Sequence, residues 1–227
     1  ADISERRPAM RGLLRNNLYG VIENIKIVFA FITVMGIVLL FSGDTTLLNI
    51  FSLLTAPMVA VLTISCLRKE SASKWGKYKL TLPIKKTDII KSQYISHLFW
   101  SLIGIVIVSV FMLITVLIHG NQYFYYGFRD AITLVCGGGV LAVLIGAVSF
   151  PLYYLWGAER TEVILVLSVL SSVGAIMGLS ILVNILSGSG NVSNTVYYIS
   201  LVVISAITSI IFLLSYFLTC HIFKCKE

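Results

Sequence analysis

The stretch YISHLFWSLIGIVIVSVFMLITVLI, residues 94–118, decides the fold, because nowhere along it is there an Asp, Glu, Lys or Arg. Coiled as an α-helix at roughly 1.5 Å per residue, a run of this length reaches about 37 Å, enough to cross the ~30 Å hydrocarbon layer of a bilayer. A soluble helix shows one apolar stripe and a charged back, and this one has no charged side at all. The pattern recurs along the chain. Uncharged runs cover 27–42, 47–67, 131–156, 163–186 and 196–220, so that six spans account for most of 227 residues, 58% of them hydrophobic and 12% charged. The expected fold class is all-α and integral to a membrane, with an N-terminal interfacial (elbow) helix, six transmembrane helices and both termini cytoplasmic.

Orientation follows from the cations, since Lys and Arg resist translocation whereas Asp and Glu contribute little. With the N-terminus inside, Arg6, Arg7, Arg11, Arg15, Lys26, the eight cations from Arg68 to Lys91, Arg160, Lys224 and Lys226 all lie in the cytoplasm. Arg129 alone is left outside. The outer turns, at 43–46, 119–130 and 187–195, are too short for an external domain. A formal charge of +7 would suit nucleic acid on a soluble fold, but these cations flank apolar spans, which excludes that reading. Cys66, Cys136 and Cys220 fall in or at the ends of spans and Cys225 in the cytoplasmic tail of 221–227, so neither disulfides nor a metal site are expected.

Residues 1–9 are polar and precede Met10, and are expected to be an expression-tag remnant. From 10 to 26, Leu14, Leu18, Val21, Ile22 and Ile25 recur at helical spacing, with Arg11, Asn16, Asn17, Glu23 and Asn24 on other faces. This is the interfacial helix, with a plain extension of the first span as the competing reading. The transmembrane domain then occupies 27–220.

Within the spans, Pro57, Pro151 and the triplet Gly137, Gly138 and Gly139 are expected to bend or loosen spans two and four. Gly174 and Gly178 form G-x-x-x-G in span five, a spacing that lets two helix backbones approach closely and suits packing within one chain or between two copies. No charged residue sits in the middle of any span, whereas ion-coupled transporters and proton pumps place such groups at the midplane. His97 is the titratable side chain inside a span, read as a histidine with a single hydrogen-bond partner near the interface. G-x-S-x-G, H-E-x-x-H and G-x-x-x-x-G-K-[ST] are all absent, so catalysis and nucleotide hydrolysis by those routes are not expected here.

One polar segment has the length and chemistry to grip a cytoplasmic partner: RKESASKWGKYKLTLPIKKTDIIK, residues 68–91, eight cations against two acids. A short helical piece near Ser73 to Lys79 would set Trp75, Tyr78 and Leu82 on one face and Lys74, Lys77 and Lys79 elsewhere. A turn follows at Leu82 and Pro83, and Thr87 is expected to cap the next helix, with Asp88 in its first turn. An aromatic anchor ringed by cations is the composition of a protein-docking hot spot. A basic turn lying on anionic lipid and a solvated loop are the competing readings. Glu159, Arg160 and Glu162 make a second charged turn, either a solvated helix end or a weaker contact with the same partner.

Glu70, Trp75, Tyr78 and the pair Leu82 and Pro83, followed by Lys91 and Tyr94, resemble the loop between spans two and three of type-2 ABC transporter permeases, in particular the small six-span subunits of the phenol-soluble modulin (Pmt) exporter family. The resemblance extends over nearly the whole chain from Met10, with its specific residues concentrated in this loop. It implies that the loop is a coupling helix seated in a cytoplasmic ABC ATPase, which alone handles ATP and Mg. It further implies two permeases and two ATPases per exporter, as a homodimer or with a close paralogue, spans one and five lining the permease interface. Trp75 and Tyr78 would anchor, Lys74 and Lys77 orient, and Leu82 with Pro83 transmit force. Alternating access in a bacterial plasma membrane, with amphipathic peptides as cargo, is the implied function. Export of lipid or drug, an ATP-independent transporter or channel, and a membrane scaffold are the alternatives.

Overall fold

The computed structural model describes residues 3–42, 44–73, 85–120, 122, 124, 128–187 and 194–225, in six long helices: α1 (Ile3–Ser42), α2 (Thr45–Ala72), α3 (Lys86–His119), α4 (Phe128–Trp156), α5 (Thr161–Ser187) and α6 (Asn194–Cys225). All six are long and apolar enough to cross a membrane. A single 3₁₀ turn, Ala158–Arg160, joins α4 to α5. The turn is possible because Gly157 takes φ 85°, a left-handed conformation that a side chain disfavours, while its N–H closes the end of α4 on the Tyr153 carbonyl at 2.9 Å. At the other end of the bundle, Asp44 starts α2 by accepting from the N–H groups of Thr46 and Leu47 at 3.0 and 3.1 Å.

The helices are not equivalent. α2 and α4 form the centre, with 61% and 56% of their most apolar windows buried, against 17% in α5 and α6, which leave most of their surface uncovered. Centrality is written in side-chain size. The buried face of α2 carries Ser52, Thr55, Ala56, Ala60 and Thr63, and that of α4 carries Gly138, Gly139, Ala142, Gly146 and Ala147. In a bilayer there is no water to expel between helices, so association relies on close packing, which small residues permit. A β-carbon on Gly104 of α3 would lie 2.8 Å from Cα of Ala56, showing how nearly α2 and α3 touch. Hydroxyls survive in this setting by bonding back to their own helix, as Ser52 does to the Leu48 carbonyl (2.8 Å) and Ser101 to that of His97 (2.8 Å).

Two expectations are revised. The segment 10–26 and the first span are one continuous helix, with no break at 26 and 27. Its inner half packs on the bundle: Leu13, Asn17 and Val21 are buried, although Asn17 reads as a surface residue in the sequence. The glycine triplet does not interrupt its helix: α4 runs through it, and Gly138 lies against α2, where a β-carbon would stand 2.9 Å from the Leu53 carbonyl oxygen. That carbonyl is four residues before Pro57, whose missing N–H leaves it without its helical donor.

Candidate functional site

The segment 74–84 leaves α2 at Ser73 and enters α3 through Lys85, and the structure around those two points gathers the ends of every helix. Ser73 closes α2 with its N–H on the Lys69 carbonyl (3.0 Å) and its hydroxyl on that of Glu70 (3.0 Å). α3 begins two residues before the expected start: Lys85, extended at φ −68° and ψ 139°, holds the cap position without a side-chain bond, and Thr87 falls inside the first turn beside Asp88. Lys74, Trp75, Lys77, Tyr78, Leu82 and Pro83 lie outside the described residues, so the geometry of this site is that of its base.

α1 meets the base along a line of amides. The Asn16 amide donates to Glu70 Oε1 (3.3 Å), Asn17 to Ser92 Oγ of α3 (3.0 Å), and Asn24 Oδ1 accepts from Lys69 Nζ (2.8 Å). The Cys66 thiol donates to the Gly20 carbonyl (3.0 Å). The Asn17–Ser92 bond is buried, where an unpaired amide would cost about 1–3 kcal/mol, while the Asn16–Glu70 and Asn24–Lys69 bonds are exposed. α4 contributes two phenols, Tyr153 donating to the Leu67 carbonyl (3.0 Å) and Tyr154 to Gln93 Oε1 (2.7 Å). α5 is tied in by an ion pair, Arg68 Nη1 to Glu162 Oε1 at 2.5 Å, with both side chains well exposed. The structure therefore brings Glu162 of the second charged turn to the end of α2, on the side of the molecule where Glu70 lies, while Glu159 and Arg160 are exposed on the 3₁₀ turn next to it.

One turn deeper, α3 is joined to the rest through two residues. Tyr94 sets its hydroxyl between Ser215 Oγ and Thr219 Oγ1 of α6, each 2.8 Å away, and its ring against Phe150, Phe212 and Tyr216. His97 is wholly buried: Nδ1 lies 2.8 Å from Thr63 Oγ1 of α2 and Nε2 donates to the Ala142 carbonyl of α4 at 3.0 Å. A carbonyl can only accept, so Nε2 carries a proton. His97 thus has two partners on two helices instead of the single one expected, and Gly146 leaves the room for its ring. The cavity among Asn17, Thr63, Gln93 and Ser96 measures about 10 Å³, room for one water.

Gly174 and Gly178 are distant from this base. Both are exposed on α5 and a β-carbon on either would meet nothing within 4 Å, so their close-approach face is not used inside this chain. Among the described residues no Asp, Glu, Lys or Arg is buried and no group of His, Cys, Asp and Glu has the arrangement of a metal site. The residues that sequence reading missed are Asn17, Tyr153, Tyr154 and Thr63. Their polarity was visible, but only packing shows that it points inward.

Neither a curated protein nor a solved structure matches the chain. The model of the family described as ABC-2 family transporter protein matches residues 12–224, nearly the whole chain, together with its six apolar helices. The chain belongs to that family: it is a multi-pass membrane protein, the permease subunit of an ABC transporter, of a kind that normally works with a cytoplasmic ATPase subunit.

Proposed function

We propose that this permease is the membrane half of an ATP-driven exporter of amphipathic peptides, of the phenol-soluble modulin or antimicrobial type, and that 74–84 carries its coupling helix. The observation behind this reading is the joint at the base of that segment. Helices α2 and α3, which bracket it, are bonded to α1 through Asn24 and Asn17, to α4 through Tyr153, Tyr154 and His97, to α5 through Arg68, and to α6 through Tyr94. Closure of two ATPases draws the coupling segments together, and a base joined to all six helices turns that displacement into a tilt of the bundle. ATP and Mg stay in the partner subunit. Peptide cargo is supported by the resemblance to Pmt-type permeases and by the lack of buried charge, which suits an apolar or amphipathic solute.

The working unit in this reading contains two permeases, with Gly174 and Gly178 of α5 facing the second copy. Their open faces are what such an interface requires. In this reading the membrane is a bacterial plasma membrane with both termini on its cytoplasmic side, an orientation that the cation tally supports. The test is co-purification: expressed with its neighbouring ATP-binding protein and captured by a tag on the permease, the chain should bring the ATPase with it. Trp75→Ala combined with Tyr78→Ala should abolish co-elution with membrane insertion intact. Undiminished co-elution would place the docking site elsewhere.

A further inference from the structure

At the end of the bundle opposite 74–84, helices α4, α5 and α6 splay around a cleft of about 270 Å³. An engineered apolar cavity of roughly 150 Å³ stays dry and takes up benzene, so this cleft has room for a substantially larger apolar group. Each helix lines it over the same length: Thr133 to Val140 on α4, Ile176 to Val183 on α5, Tyr197 to Ile204 on α6. At roughly 1.5 Å per residue that makes a slot about 10 Å long, parallel to the spans.

Its chemistry is graded along that length. The deep end is Val140, Ile176 and Ile204, whereas hydroxyls of Thr133, Ser180 and Tyr197 stand toward the mouth. Thr133 and Tyr197 hydrogen-bond each other across it. Immediately beyond, the Arg129 guanidinium sits 3.7 Å over the Tyr197 ring and donates to Asn194 Oδ1 at 3.3 Å. Thr133 passes its own proton to the Arg129 carbonyl at 2.8 Å, so Tyr197 is the donor between the two and the rim is polar without being a row of free donors. Apolar depth, a polar rim and a guanidinium above it follow one molecule in cross-section: hydrocarbon chain, ester region, phosphate. Asp130 next to Arg129 balances its charge, so the slot selects the length and polarity profile of the guest more than the sign of its head.

We propose that this cleft is a binding site for a single acyl chain of a glycerophospholipid, tail inward to the Val140 level and ester region at Thr133, Ser180 and Tyr197. α5 then separates a bound lipid on one face from the Gly174 and Gly178 face on the other, since Ile176 is two residues from both glycines and Ser180 two from Gly178, about 200° at ~3.6 residues per turn. The site is remote from the ATPase-docking segment and does not depend on the exporter reading.

The full-length chain in nanodiscs of phosphatidylglycerol and phosphatidylethanolamine, doped with a phospholipid bearing a diazirine near one chain end, provides the test. Photolysis and peptide mapping should place adducts around Val140, Ile176 and Ile204 at least threefold above exposed control positions such as Leu213 and Leu218. Ser200→Trp, which fills the slot, should cut those adducts at least threefold and spare adducts at Met112 and Leu113 on the α3 side of the neighbouring apolar groove, which meets the slot at Cys136. Ser180→Trp should do the same from the α5 side. Even labelling along α5 and α6, or adducts indifferent to both tryptophans, would overturn the site. Labelling of the slot by a diazirine-bearing amphipathic peptide but not by the lipid would overturn its assignment to lipid.

Discussion

Gly146 lies flat against the imidazole of His97, so close that a β-carbon at that position would overlap Nε2. The ring is fully buried and held on both nitrogens, by Thr63 and the Ala142 carbonyl, and it also contacts Phe150 and Phe212. It has nowhere to go. Gly146→Ala should therefore destabilise the bundle by about 1–3 kcal/mol, the usual effect of overpacking a close-packed core. The check is the fraction folded against SDS or the melting temperature in mild detergent. An unchanged melting temperature would show that α3 and α4 separate easily here.

His97→Leu removes the ring's hydrogen bonds and leaves the Ala142 side of the pocket without its donor. A loss of about 1–3 kcal/mol is expected from the unmade bonds. His97→Gln, which keeps a donor and an acceptor on a side chain of similar reach, should recover part of it. Equal behaviour of the two variants in the same unfolding assay would argue that the hydrogen bonds carry little weight.

Gly174→Leu and Gly178→Leu should behave in the opposite way to Gly146→Ala. Among the described residues nothing stands near either position, so the stability of the isolated permease should move by no more than about 0.5 kcal/mol. The dimer fraction, counted by single-molecule photobleaching in membranes, should fall at least fivefold. Dimers that survive both substitutions would remove α5 from the interface.

The pair Arg68 and Glu162 is well exposed, and its direct energetic coupling should be only about 0.2–1 kcal/mol by double-mutant cycle. Its larger effect should appear in function. Arg68→Glu places like charges at the end of α2 and the start of α5 and should lower transport-coupled ATP turnover in the reconstituted exporter, with Glu162→Arg in the same chain restoring it. No rescue in the double variant would mean that the two side chains act separately, for instance by touching the ATPase.

Cys225 is exposed near the end of α6, whereas Cys66 and Cys220 are buried and Cys136 half-buried. It provides a native probe of orientation. A membrane-impermeant maleimide should label it in inverted vesicles and not in intact cells, with Cys225→Ser as the blank. Labelling in intact cells would place the C-terminus outside and reverse the topology.

Much of this was legible before any coordinates. The six spans appear as six uncharged runs, and the helices extend past their expected limits by a few residues at most ends. Asp88 does lie in the first turn of its helix, although Lys85 and not Thr87 occupies the cap. The base of the segment 74–84 was legible only in part. Glu70 was picked out by resemblance, but Asn17, Tyr153 and Tyr154 carry no sequence signal that separates a polar group at a lipid boundary from one bonded between helices. Asn17 is the clearest case, as it reads as part of a polar face until Ser92, 75 positions away, turns out to be its partner.

What the residues alone determined is whatever depends on a single helix and its solvent: a charge-free run must lie in hydrocarbon, and a cation must stay where it can remain hydrated. What only the tertiary structure decided is which neighbour each small residue meets. Gly104, Gly138 and Gly146 are gaps filled by Ala56, by the Leu53 carbonyl and by His97, while Gly174 and Gly178 are gaps left open. In sequence they are the same letter, because a glycine records only the absence of a side chain, and what enters that space is set by helices far away along the chain.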